Sequence, residues 1–147
     1  MAVLLLFAAP AAAQEALRGT WRGGYDCGAA QGHTALVLTM DPRKDGTVSA
    51  LFHFEAAADN PGVPTGCFAM EGRFDPATRE VSLRHLRWLL QPANYVMVDL
   101  AGRLSDAGDR IEGRVIHASC STFAVERLAG RSDAEACRTG APLLSLR

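Results

Sequence analysis

Four histidines, four cysteines and a short run of hydroxyls are the residues of this 147-residue chain whose types carry chemistry. Ser119, Ser121 and Thr122 follow His117 closely. No G-x-S-x-G surrounds them, and a nucleophile needs both a base and an oxyanion site. Carboxylates cluster only in turn-like stretches such as Asp41–Gly46 and Asp106–Asp109, where aspartate is favoured for conformational reasons. No glycine-rich loop precedes a helix to cradle a phosphate. His33, His53, His85 and His117 lack any short ligand spacing such as His-x-His, so no metal is expected. Cys27, Cys67, Cys120 and Cys137 include no C-x-x-C, which argues against a zinc ribbon or a thioredoxin-like motif. The expectation is a non-enzyme without cofactor, whose cysteines serve as disulfides.

Lysine and arginine total 15 against 16 acidic residues, for a formal charge of −1. With no basic excess or basic run, nucleic acid and anionic membrane surfaces are poor partners. At 48% hydrophobic and 21% charged, the chain can bury one core. Residues 1–13 read as a signal peptide: an apolar run from Ala2 to Ala9, then the small residues Ala11–Ala13. The run is too short to span a bilayer, so no integral membrane segment is expected in the mature chain. It also lacks a preceding basic residue, which places the expected translation start upstream of Met1. The mature chain then begins near Gln14, in a periplasmic or secreted, oxidising space.

The elements that must position these residues are strands. Gly19–Cys27 alternates, with Trp21, Gly23 and Tyr25 on one face. Its glycines mark a sharp bend or a close backbone approach, which a closing barrel requires of its first strand. Further strands follow over His33–Asp41, Thr47–Glu55, Gly66–Asp75, Arg79–Leu86, Asn94–Leu104, Arg110–His117 and Ser121–Leu128. Turns at Asp41–Gly46, Asp75–Thr78 and Ser105–Asp109 alternate with longer connections at Gly28–Gly32, Ala56–Thr65, Arg87–Ala93 and Ala118–Cys120. The pattern predicts an all-β, antiparallel, eight-stranded up-and-down barrel over 14–131, with a two-sheet sandwich as the other arrangement it permits. Ser132-Asp133-Ala134-Glu135 has capping-box spacing, so a short helix over 132–137 and a tail to 147 complete the chain.

Gly19-x-Trp21 in the first strand, with Arg127 near the end of the last, is similar to calycin barrels, the lipocalins and avidins. That resemblance implies that Arg127 covers Trp21, and that an apolar interior with one open mouth holds a small ligand. Avidin's ligand-facing tryptophans have no counterparts, since only Trp21 and Trp88 occur. Gly19-x-Trp21 followed by Cys27 also resembles small periplasmic barrel inhibitors of metalloproteases.

Up-and-down order gathers the longer connections at one end, where function is expected. Antiparallel closure brings Cys27 and Cys120 together there as the favoured disulfide. Cys137 either reaches back to Cys67 or stays free or intermolecular. All four histidines sort to the same end. Trp88, Leu89, Leu90, Pro92 and Tyr95 form an aromatic and apolar cluster on the predicted 87–93 connection and just beyond. They read as a lid over the mouth, a partner-docking patch, or a loop folded onto its own core. Asp99 either faces water or orders a buried network. The expected ligand-contacting residues are Trp88, Tyr95, His85, His117 and Asn94. The leading expectation is an exported module binding a small apolar ligand. The alternative is a protein-binding or inhibitor-like module whose barrel is filled by Phe52, Phe54, Phe68, Phe74 and Phe123.

Overall fold

Alternation along each strand sorts side chains into an inner and an outer row, and the computed structural model, which describes residues 10–128 and Cys137, closes the inner rows on one another. The strands are β1 (Gly19–Cys27), β2 (Gly32–Pro42), β3 (Thr47–Glu55), β4 (Gly66–Asp75), β5 (Glu80–Leu90), β6 (Asp99–Leu104), β7 (Arg110–Ile116) and β8 (Thr122–Arg127). They form a closed antiparallel barrel in sequence order, as the strand pattern predicts. Two short helices accompany them, α1 (Pro10–Glu15) and α2 (Gly28–Gln31), the latter a single turn in the connection after β1. No helix among the described residues is long and apolar enough to cross a membrane. Residues 1–9 of the expected leader lie outside the described residues. So does the expected 132–137 helix, save Cys137, which is helical and buried.

The seam between β1 and β8 runs from Trp21 opposite Arg127 to Tyr25 opposite Phe123. Gly23 makes it possible: a Cβ there would lie 1.9 Å from the Ala124 carbonyl oxygen. The interior is filled by rings. Phe52 and Phe68 stack at 4.6 Å, and Tyr25 meets Phe52 edge-on at 5.2 Å. At the tight-turn end, the segment after α1 stoppers the barrel. Leu17 is buried, and its carbonyl accepts a hydrogen bond from the Trp21 indole N–H at 3.0 Å. The Arg127 guanidinium lies 4.3 Å from the Trp21 ring centroid and donates to the carbonyls of Ala16 and Arg18.

Two disulfides add ties, Cys27–Cys120 and Cys67–Cys137. Val37, His53 and Cys67 form one row across β2, β3 and β4 on the outer side of the barrel, yet all three are buried. The bond to Cys137 lies on that covered face.

The strand pattern misplaces the end of β5 and the start of β6. Residues 87–93 read as a connection and 94–104 as the longest strand, but β5 continues to Leu90 and β6 starts only at Asp99. The reason is pairing with β4: Arg87, Trp88 and Leu90 sit opposite Ala69, Phe68 and Cys67. Register shifts leave Leu86 and Leu89 without partners, so the inside–outside alternation breaks where the strand goes on. Trp88 is therefore a strand residue. β6 pairs with β5 only from Glu80 to Leu83, so among the described strands residues 84–90 have β4 as their single neighbour. The two bulges twist this edge, a standard protection against edge-to-edge pairing.

Candidate functional site

At the long-loop end the stacked rings stop short of the rim and leave a recess of about 160 Å³. Phe52, Phe54, Phe68, Val96 and Val98 supply its apolar walls, together with the Cys27–Cys120 disulfide. Its polar side is Tyr25, Gln31, His117 and Ser119.

Hydrogen bonds hold Tyr25, Gln31 and His117 in place. The turn of α2 carries Gln31 back over the barrel, where its side-chain amide donates to the Tyr25 hydroxyl at 2.8 Å. Asn60, from the β3–β4 connection, pins that turn by donating to the carbonyls of Gln31 (2.6 Å) and His33 (2.9 Å). Burial raises the Tyr25 phenol well above its ordinary value, with the Gln31 hydrogen bond opposing the shift, so the hydroxyl stays protonated. His117 stands in the β7–β8 connection, and its Nδ1 accepts the backbone N–H of Ser119 at 3.2 Å. In the neutral ring that hydrogen bond leaves the proton on Nε2.

Of the residues expected to contact a ligand, only His117 lines the recess. Trp88 and Tyr95 stand behind its wall. Trp88 meets Phe54 and Phe68 edge-on at 6.2 and 5.2 Å, and Tyr95 stacks on Phe54 at 5.3 Å. Tyr95 reaches that position because residues 91–98 cross the mouth without joining the sheet, a path that includes Asn94 at φ 66°. Asn94 itself is exposed and is not among the lining residues. His85 lies outside, its Nδ1 2.6 Å from the Asp99 carboxylate, which also accepts the His85 backbone N–H at 2.9 Å. Asp99 thus neither faces open water alone nor orders a buried network; it caps the strand edge where β5 and β6 part. Tyr25 and Gln31 are lining residues of the recess that the sequence reading passed over. Tyr25 shares the inward parity of Trp21 and was readable, whereas Gln31 depends on the Asn60 contact and carries no local signal.

A second imidazole–carboxylate pair, His33 Nδ1 to Asp26 at 3.0 Å, lies on the outer surface of the same end. Such a pair orients a ring for proton transfer. Among the described residues, however, no hydroxyl or thiol is hydrogen-bonded to either ring, and no three His, Cys, Asp or Glu side chains gather as metal ligands. A larger, open groove of about 940 Å³ runs over the tight-turn end, lined by side chains of both signs, including Lys44, Arg73, Asp75, Glu80, Arg103 and Glu112. Solvated charges without enclosure hold a ligand poorly, so the walled recess is the better candidate.

A scan against protein-family models finds no match to the chain, and neither does a search of curated proteins.

Proposed function

We propose that this chain is an exported, non-catalytic, calycin-like binding module that holds a small apolar ligand at the long-loop end of its barrel. The observation that carries the reading is the aromatic-floored recess at the end where the long connections meet, walled by Phe52, Phe54 and Phe68. Two disulfides fit an oxidising compartment. Among the described residues no hydroxyl or thiol is hydrogen-bonded to either imidazole–carboxylate pair, which supports a binding role over a hydrolytic one.

Titration of the protein with a panel of small apolar molecules, followed by tryptophan emission, tests the reading. Trp88 touches two walls of the recess, while Trp21 lies at the other end of the barrel. Binding should shift the Trp88 contribution in the wild type and fail to do so in Val98→Phe, which fills the space. If no molecule in the panel moves the emission, the ligand reading falls.

A protein partner is the second reading, and one observation favours it. Among the described residues the exposed large apolar side chains, Leu86, Leu90, Val96 and Ile116, lie toward the long-loop end, with Val96 62% exposed. Loss of partner capture in a Leu86→Ser, Val96→Ser variant that keeps its fold would support it.

A further inference from the structure

We infer that the recess is selective for a single neutral six-membered ring bearing one hydrogen-bonding group, the chemistry of a phenol. This deepens the ligand reading above and rests on it. Size comes first. A cavity of about 150 Å³ lined by aliphatic and aromatic side chains holds one benzene, and this recess measures about 160 Å³. The recess is open at its mouth, so a longer molecule can seat one end there. Two fused rings buried whole would have to displace Phe52 or Phe68, which stack at 4.6 Å.

Charge comes second. No Asp, Glu, Lys or Arg side chain lines the recess, so a carboxylate or an ammonium entering it leaves water without a counter-ion. The polar side then specifies the substituent. Gln31 donates one amide N–H to Tyr25, and its amide oxygen is an acceptor beside that bond, while His117 offers Nε2–H as a donor. A hydroxyl is both donor and acceptor and answers both groups at once. The ring can arrive as a free molecule or as the tyrosine side chain of a partner, since both present the same chemistry.

The test uses the full chain with its disulfides intact, near neutral pH, followed by Trp88 emission and by the NMR shifts of the Val98 methyls. The probes are phenol, p-cresol, benzene, 1-naphthol, decanol, benzoate and benzylammonium. Phenol and p-cresol should bind, benzene about tenfold more weakly for want of the hydrogen bonds, and the two charged rings more weakly still. Gln31→Leu should erase the preference of phenol over benzene without abolishing benzene binding. The wild-type series decides the matter even if that variant does not fold. Binding of 1-naphthol or decanol with none of phenol overturns the ring class and leaves the ligand reading standing. Equal affinity for benzoate and phenol overturns the neutrality. Silence from every probe overturns both the class and the reading. A tyrosine peptide capped at both ends and displacing p-cresol supports the side chain as source, and p-cresol bound without competition supports a free molecule; either outcome upholds the ring class.

Discussion

Arg127 joins the two ends of the described barrel at one residue. Its guanidinium covers the Trp21 ring and donates to two carbonyls of the segment that stoppers the tight-turn end. Cation–π attraction and charge-assisted hydrogen bonds act together there, so Arg127→Ala should destabilise the fold by about 2 kcal/mol. Arg22 is the control. It faces outward and pairs with Glu55 across solvent at 2.9 Å, so Arg22→Ala should change stability by no more than about 0.5 kcal/mol. Urea midpoints measure both, and only Arg127→Ala should also alter the emission of Trp21. Equal effects from the two substitutions would contradict this account of Arg127.

Strand β1 shows how an element with poor intrinsic preference becomes the closing strand. Gly23 and Gly24 are adjacent, but they make room for different things. At Gly23 the neighbour is the Ala124 carbonyl of β8, which is backbone and cannot swing away. At Gly24 the nearest atoms belong to the imidazole of His33, 2.4 Å from the position of an added Cβ, which can rotate out. The nearest backbone there, the Thr34 carbonyl oxygen, is 3.0 Å away and needs to give by only a few tenths of an ångström. Gly23→Ala should therefore cost about 3 kcal/mol, in the manner of an overpacked core, and speed amide exchange along the β1–β8 seam. Gly24→Ala should cost less than about 1 kcal/mol, mainly through loss of the exposed His33–Asp26 pair. Hydrogen exchange on the two variants separates them. Like protection in both would mean that the seam does not depend on the close approach at Gly23.

At the scale of the whole molecule, the Cys27–Cys120 bond spans a sequence separation of 93 and ties β1 to the connection before β8. Chain entropy assigns a loop of that length about 4 kcal/mol, and strain in real proteins often lowers the yield. Replacing both cysteines with serine should cost about 2–4 kcal/mol. Because the disulfide is also a wall of the recess, the same variant should lose phenol affinity even under conditions where it remains folded. Denaturant melts with and without the pair, and a phenol titration of each, check the two halves separately. Unchanged ligand affinity would remove the disulfide from the site while leaving its structural role.

The sequence by itself determined the class, the strand order and the division into two ends, because alternation and turn chemistry are local properties of the backbone. Leu36, Leu38 and Met40, or Phe52 and Phe54, show their facing without reference to any neighbour. The adjacency of Cys27 and Cys120 follows from the same closure. Where β5 ends was decided elsewhere: Leu86 and Leu89 break the period, and only pairing with β4 keeps the strand going to Leu90. The recess was decided in three dimensions too. Gln31 sits over Tyr25 because Asn60, 29 residues away, holds its turn, and Tyr95 stands behind the wall because it stacks on Phe54. Contacts between residues so distant in the chain depend on register and packing, which no local pattern encodes.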